Sequence, residues 1–169
     1  MEISQQPKWD GKARAEVAGF KAEQVWPLLE DFFGLNKWFP ALTICLPVEG
    51  VSGQPGCVRF CSGFKTPVDD HRDGQGTVNW TKQKLLTIDA AKHTFSYSIV
   101  DGNVGFNGYV STITVEEEED GCSIEWSYEV EPVEGWKPEY LDSFIDKGLE
   151  AMASKMEAAL KEYSKIISQ

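Results

Sequence analysis

Histidine occurs twice in the 169 residues, cysteine four times and methionine three times, and Lys plus Arg total only 16. Each scarcity excludes something. His71 and His93 stand in no metal-ligand or catalytic-triad spacing. The basic residues are outnumbered by 27 Asp and Glu, for a net charge of −11. Such a surface repels phosphate backbones and anionic headgroups, so neither nucleic acid nor a membrane is an expected partner. No apolar run approaches the roughly 18 residues of a membrane span. The start of the chain has no signal-peptide core, and the protein is expected in the cytoplasm with its cysteines as thiols.

What is abundant is aromatic surface: 12% of the chain, including six Trp, far from the composition of acidic disordered proteins. The length suits one domain spanning 1–169, with 1–8 a flexible tail.

Hydrophobic periodicity sets the order of elements. Alternation over 12–20 predicts a strand, and Val25, Leu28, Leu29, Phe32 and Phe33 recur at helical spacing until Gly34 interrupts them. A second short helix is expected at 35–39, before Pro40. Six strands follow near 42–49, 57–64, 77–88, 94–101, 108–118 and 122–131, separated by turn-forming stretches that include Asp120-Gly121. One amphipathic helix fills 138–169. Consecutive strands bracketed by helices define an α+β domain with a seven-stranded antiparallel sheet and its helices on one face.

Strand parity then assigns faces. Ile124, Trp126, Tyr128 and Val130 point one way and Glu125, Glu129 and Glu131 the other. Phe95 and Tyr97 with Ile99, and Tyr109 with Ser111 and Ile113, extend the apolar face. So many aromatics opposite one helix make either a solid core or a ligand cavity.

Arg59 is the informative residue. In Cys57-Val58-Arg59-Phe60-Cys61, inward cysteines bring Arg59 inward too, and a buried guanidinium requires a carboxylate, a ligand group or water; opposite parity or a bulge would put it in solvent instead. Asn79, Thr81, Gln83 and Leu85 form the inward face of the next strand, which makes Gln83 the polar residue placed to meet Arg59.

Other patterns carry less. Asp69, Asp70, His71 and Asp73 start like a calcium loop, but its twelfth position is Trp80 rather than a carboxylate. Cys57 and Cys61 are too far apart along one strand to chelate or cross-link, and His93 sits in a turn expected to be solvated.

The order strand, two short helices, six strands and long helix resembles the helix-grip fold of the START and birch pollen allergen superfamily (polyketide cyclase/dehydrase and lipid transport). Lys8-Trp9, Trp26, Val48-Glu49-Gly50, Gly56-Cys57-Val58-Arg59, the strand from Trp80 to Leu85, Tyr97, Tyr109 and Trp126-Ser127 are similar to plant lachrymatory-factor synthase-like proteins in particular. The resemblance implies a curved sheet around the long helix, a cavity between them, no cofactor and a small hydrophobic ligand. It also implies a sulfenic-acid isomerisation in which an arginine and a tyrosine hold the substrate; these positions match Arg59 and Tyr109, while the proton-carrying carboxylate falls on Gln83. An amide cannot exchange that proton near neutral pH. The expectation is therefore a binding or carrier protein, with an isomerase or cyclase as the alternative. Arg59 anchors the polar end, Tyr109 and Gln83 orient it, and Phe95, Tyr97, Ile113, Trp126 and Met152 surround the apolar part. Gly148, in the inward stripe of the last helix, either keeps the wall open or allows close packing.

Overall fold

The computed structural model describes residues 7–66 and 78–168. Strand β1 (Trp9–Ala18) leads into helix α1 (Ala22–Glu30) and a 3-10 segment (Phe32–Lys37). Strands β2 (Ile44–Glu49), β3 (Val58–Ser62), β4 (Trp80–Asp89), β5 (Thr94–Gly102), β6 (Val110–Glu118) and β7 (Gly121–Val130) follow, and helix α2 (Pro138–Ile167) ends the chain. The aspartate-rich turn at 69–76 and the start of the predicted tail, 1–6, lie outside the described residues.

All seven strands form one antiparallel sheet in the order β1-β7-β6-β5-β4-β3-β2. The sequence neighbours β1 and β2 are therefore its two opposite edges, and α1 with the 3-10 segment bridges them. α2 opens with Pro138 in its first turn beside Glu139 and carries Lys165 in its last turn, so its termini suit the helix dipole. It packs chiefly against β1. Leu141, Ile145, Leu149, Met152 and Met156 are at most 2% exposed, and burying each contributes about 1.5–3 kcal/mol.

Alternation held along the sheet. Burial alternates in β4, β6 and β7 as the parity argument requires. The glutamates stay outside, where Arg14 of β1 reaches Glu116, Glu118 and Glu125 across the neighbouring strands. These half-exposed pairs contribute little stability.

Boundaries differ where local chemistry competes with the pattern. β1 begins at Trp9, ahead of the expected start at 12, because Asp10 and Gly11 interrupt the apolar alternation although backbone pairing continues to Trp9 opposite Val130. The expected first helix stops at Glu30. Phe32 belongs instead to the 3-10 segment, whose shorter turns leave carbonyls free for other donors. His93 is not merely solvated: it adopts a positive φ of 53° and its ring is half-buried 5.6 Å from that of Trp26.

Gly11 allows a close approach that fixes α2 on β1. A Cβ there would lie 2.5 Å from the Tyr128 hydroxyl, which donates a hydrogen bond to Asp142 across the strand.

Candidate functional site

The site begins with Arg59. Arg59 is only 3% exposed and is buried together with Cys57 and Cys61 while Phe60 is half-buried, as parity requires, although Val58 and Ser62 on the other parity are buried as well. Gln83 is directly opposite it in the β3–β4 register. Arg59 Nε donates to Gln83 Oε1 at 2.8 Å, and Nη1 donates to the Phe32 carbonyl at 2.7 Å. The Phe32 ring covers the guanidinium at 3.7 Å and the Tyr97 ring lies 5.1 Å away. No carboxylate pairs with Arg59 among the described residues. Neutral acceptors and aromatic faces thus replace its hydration, and the cation keeps a field that favours negative charge nearby.

Gln83 passes this cation's influence inward. Its oxygen is occupied by Arg59, and its Nε2 donates to Thr81 Oγ1 at 3.2 Å. An amide nitrogen has two hydrogens, so one donor remains.

Beyond Gln83 lies a cavity of about 60 Å³ between the sheet and α2. Its wall comprises Leu35 of the 3-10 segment, Phe39, Leu42 and Phe64, then Thr81 and Gln83 of β4, Tyr97 and Ile99 of β5, Phe106, Tyr109, Trp126 of β7, and Leu141, Phe144 and Ile145 of α2. The half-buried members, including Ile99, Phe106 and Phe144, mark its solvent side. A space of this size holds on the order of four water-sized groups.

Polar groups in the wall are mostly donors. Tyr97 and Tyr109 share a long hydroxyl contact of 3.4 Å, Tyr109 donates to Ser111 at 3.4 Å, and Ser111 donates to the Ser127 carbonyl at 2.8 Å. Among the described residues the buried indole N–H of Trp126 has no hydrogen-bond partner, although it lies near enough to Tyr109 to favour that phenol's ionised form. Burial outweighs this effect and raises Tyr109, and burial raises Tyr97 further, with the Tyr109 charge adding to it. Both phenols therefore keep their protons near neutral pH. Among the described residues the wall contains no Asp or Glu, and no three His, Cys, Asp or Glu side chains converge to hold a metal ion.

Of the residues singled out by sequence, Gln83, Tyr97, Tyr109 and Trp126 line the cavity. Arg59 stands behind Gln83 rather than in the wall. Phe95, Ile113 and Met152 are buried in the surrounding core, outside the cavity. Residues from the 3-10 segment, the turn that follows it and α2, chiefly Leu35, Phe39, Leu141 and Phe144, complete the wall and were not anticipated. Nothing local in a sequence separates a core residue from a cavity residue.

Gly148 provides for Phe39. A Cβ at Gly148 would lie 2.5 Å from the Phe39 ring, so close packing is its role, and that ring forms part of the cavity wall.

A seven-stranded antiparallel sheet gripping one long helix around a small apolar cavity defines a helix-grip domain of the START and birch pollen allergen type. The chain belongs to the polyketide cyclase/dehydrase and lipid transport family, whose sequence profile matches residues 9–157. Its fold is shared with XoxI from Bacillus cereus, at 21% identity over 92% of this chain and 97% of that one with a TM-score of 0.68. Ginseng major latex-like protein 151 from Panax ginseng is similar at 19% identity, covering 89% and 97% of the two chains with a TM-score of 0.63. Ara h 8.0201 matches at 18% identity over 92% and 99%, with a TM-score of 0.69. Hydrophobic ligand binding is the general property this family supports. Among the described residues no helix is long and apolar enough to cross a membrane.

Proposed function

We propose that the protein binds or carries a small apolar molecule whose polar end is a hydrogen-bond acceptor. The indole N–H of Trp126 in the cavity wall, without a hydrogen-bond partner among the described residues, carries this reading, because a buried donor without an acceptor costs about 1–3 kcal/mol that a ligand oxygen recovers. The remaining Gln83 N–H supports it, and both hydroxyls, Tyr97 and Tyr109, can reorient toward an added acceptor. Arg59 is a positioning residue: it fixes the Gln83 amide and biases the site toward an electron-rich group. The apolar part of the ligand would lie against Phe39, Leu141 and Ile145.

The cavity volume restricts that ligand to a few heavy atoms unless the half-buried wall yields. A titration with four- to six-carbon aldehydes, carboxylates, amides and alcohols, followed by ligand-observed NMR, tests this. Binding by at least one member and its loss in Ile99→Trp, which fills the cavity, are expected. Equal binding by wild type and Ile99→Trp would remove the cavity from the account.

The small cavity also favours a second reading, a lachrymatory-factor synthase-like rearrangement of an alkenyl sulfenic acid, with Arg59 and Tyr109 holding the substrate. Gln83 cannot move its proton as a carboxylate can, and the described wall has no replacement. Assay of wild type and Gln83→Glu with the sulfenic acid generated in situ separates the readings. Wild-type turnover would establish the enzyme; turnover in the variant alone would place the ligand beside residue 83 in a binding protein.

A further inference from the structure

Cys45 and Cys61 stand directly opposite one another in the β2–β3 register, with their sulfurs 3.9 Å apart. Both are free thiols. The sequence offered only Cys57 and Cys61 as a pair, on a single strand; register replaces Cys57 with Cys45. Antiparallel partners have Cα separations of roughly 4.5 or 5.5 Å, and both values lie within the span a disulfide bridges. The sulfurs can therefore approach by side-chain rotation within a span that the strand pairing already provides.

The two thiols are not equivalent. Cys61 is 0% exposed, whereas Cys45 is half-buried on β2, the strand at the edge of the described sheet. A solvent oxidant therefore meets Cys45 first and finds Cys61 behind it. The surroundings favour a thiolate at Cys45: the Cys61 thiol donates toward it, the Arg59 cation is near, and the backbone of Asn36 and Leu35 adds hydrogen bonds, together lowering Cys45 while Cys61 is raised. An accessible, stabilised thiolate with a resolving thiol in contact is the arrangement that oxidises reversibly.

We propose that Cys45 and Cys61 are a reversible redox site, closing to a cross-strand disulfide when the protein meets hydrogen peroxide. The Cys45 thiolate attacks one peroxide oxygen, the O–O bond breaks, and Cys45 becomes a sulfenic acid as hydroxide leaves and takes a proton to form water. The Cys61 sulfur then attacks the Cys45 sulfur. The S–S bond forms, the S–O bond breaks, and the departing hydroxide takes the Cys61 proton to form a second water. Two thiols have lost two electrons to one peroxide, and a dithiol reductant reverses the change. The site is separate from the cavity and does not rest on the ligand reading.

The test is peptide mapping of the full chain after stoichiometric peroxide, with remaining thiols blocked by N-ethylmaleimide during denaturation. The expected product is two hydrogens lighter than the reduced protein before blocking, takes up two maleimides rather than four on blocking, contains a linked peptide joining Cys45 to Cys61, and reverts with dithiothreitol. Iodoacetamide at neutral pH should modify Cys45 about tenfold faster than Cys57 or Cys122, both buried. In Cys61→Ser, dimedone should capture Cys45 as a sulfenic acid; because the wild-type map stands by itself, failure of that variant to fold does not affect the result. Linkage of Cys45 to any other cysteine, oxidation of Cys45 to sulfinic acid with Cys61 still a thiol, or four unchanged thiols after peroxide that oxidises the unfolded chain would each overturn the proposal.

Discussion

Arg59 and Gln83 face one another across β3 and β4, with Nε 2.8 Å from the amide oxygen. The bond joins a buried cation to a neutral acceptor, so the guanidinium is satisfied without being neutralised. A carboxylate at residue 83 would form an ion pair there; the amide leaves the charge unneutralised beside the cavity.

Gln83→Leu should therefore destabilise the protein by about 1–3 kcal/mol, since it removes an acceptor from a buried charged donor. Gln83→Glu retains an acceptor at the same distance and should lose less. Urea denaturation at pH 7 compares the three proteins. A leucine variant as stable as wild type would mean that Arg59 is satisfied elsewhere.

Gly148→Ala sets two effects against each other. Alanine gains about 1 kcal/mol of helix propensity, but its methyl group meets the Phe39 ring, and overpacking typically costs about 1–3 kcal/mol. Net destabilisation with weakened ligand binding is expected, because the displaced ring belongs to the cavity wall. A variant more stable than wild type with unchanged binding would show that Phe39 moves freely.

Alkaline pH should weaken the fold through its buried phenols. Tyr97 and Tyr109 are raised by burial, and Tyr128 is raised by burial and by Asp142. Unfolded tyrosines ionise near pH 10, so above about that pH the unfolded state holds fewer protons and stability falls as pH rises toward the folded values. Below it the contribution is fully present. Urea midpoints between pH 8 and 11 should decline more gently in Tyr97→Phe, and parallel declines would contradict the assignment.

Gly11→Val tests how the helix is held. The side chain would occupy the space of the bond from Tyr128 to Asp142, so loss of about 2 kcal/mol or more is expected from the clash and the broken contact. Thermal unfolding measures it. If Gly11→Val and Tyr128→Phe cost the same and their combination costs no more, the bond is the whole effect; a full additive loss would separate the clash from the bond.

Much of this arrangement was legible because β-strands obey parity. Seven strands, the inward Arg59 and its meeting with Gln83 all follow from a period of two and the order of the chain. What parity omits is contact from outside the sheet. The Phe32 carbonyl reaches Arg59 only because α1 ends early and a 3-10 segment turns that group inward, and no residue pattern announces it. The Cys45 and Cys61 pairing needed register, which depends on the irregular connection between β2 and β3, where Gly50 takes a φ of 79° and approaches the Cys57 backbone. The division between cavity and core was equally hidden: Phe95 and Tyr97 share a face and a strand, yet only Tyr97 lines the cavity.

The indole N–H of Trp126 tests the ligand reading most directly. Six tryptophans give six indole resonances, and Trp126→Phe identifies the relevant one by its loss. On titration with a bound four- to six-carbon carbonyl compound, that resonance should move downfield and saturate with the binding isotherm as the N–H acquires its acceptor. A ligand that binds tightly while the Trp126 resonance stays fixed would contradict the account.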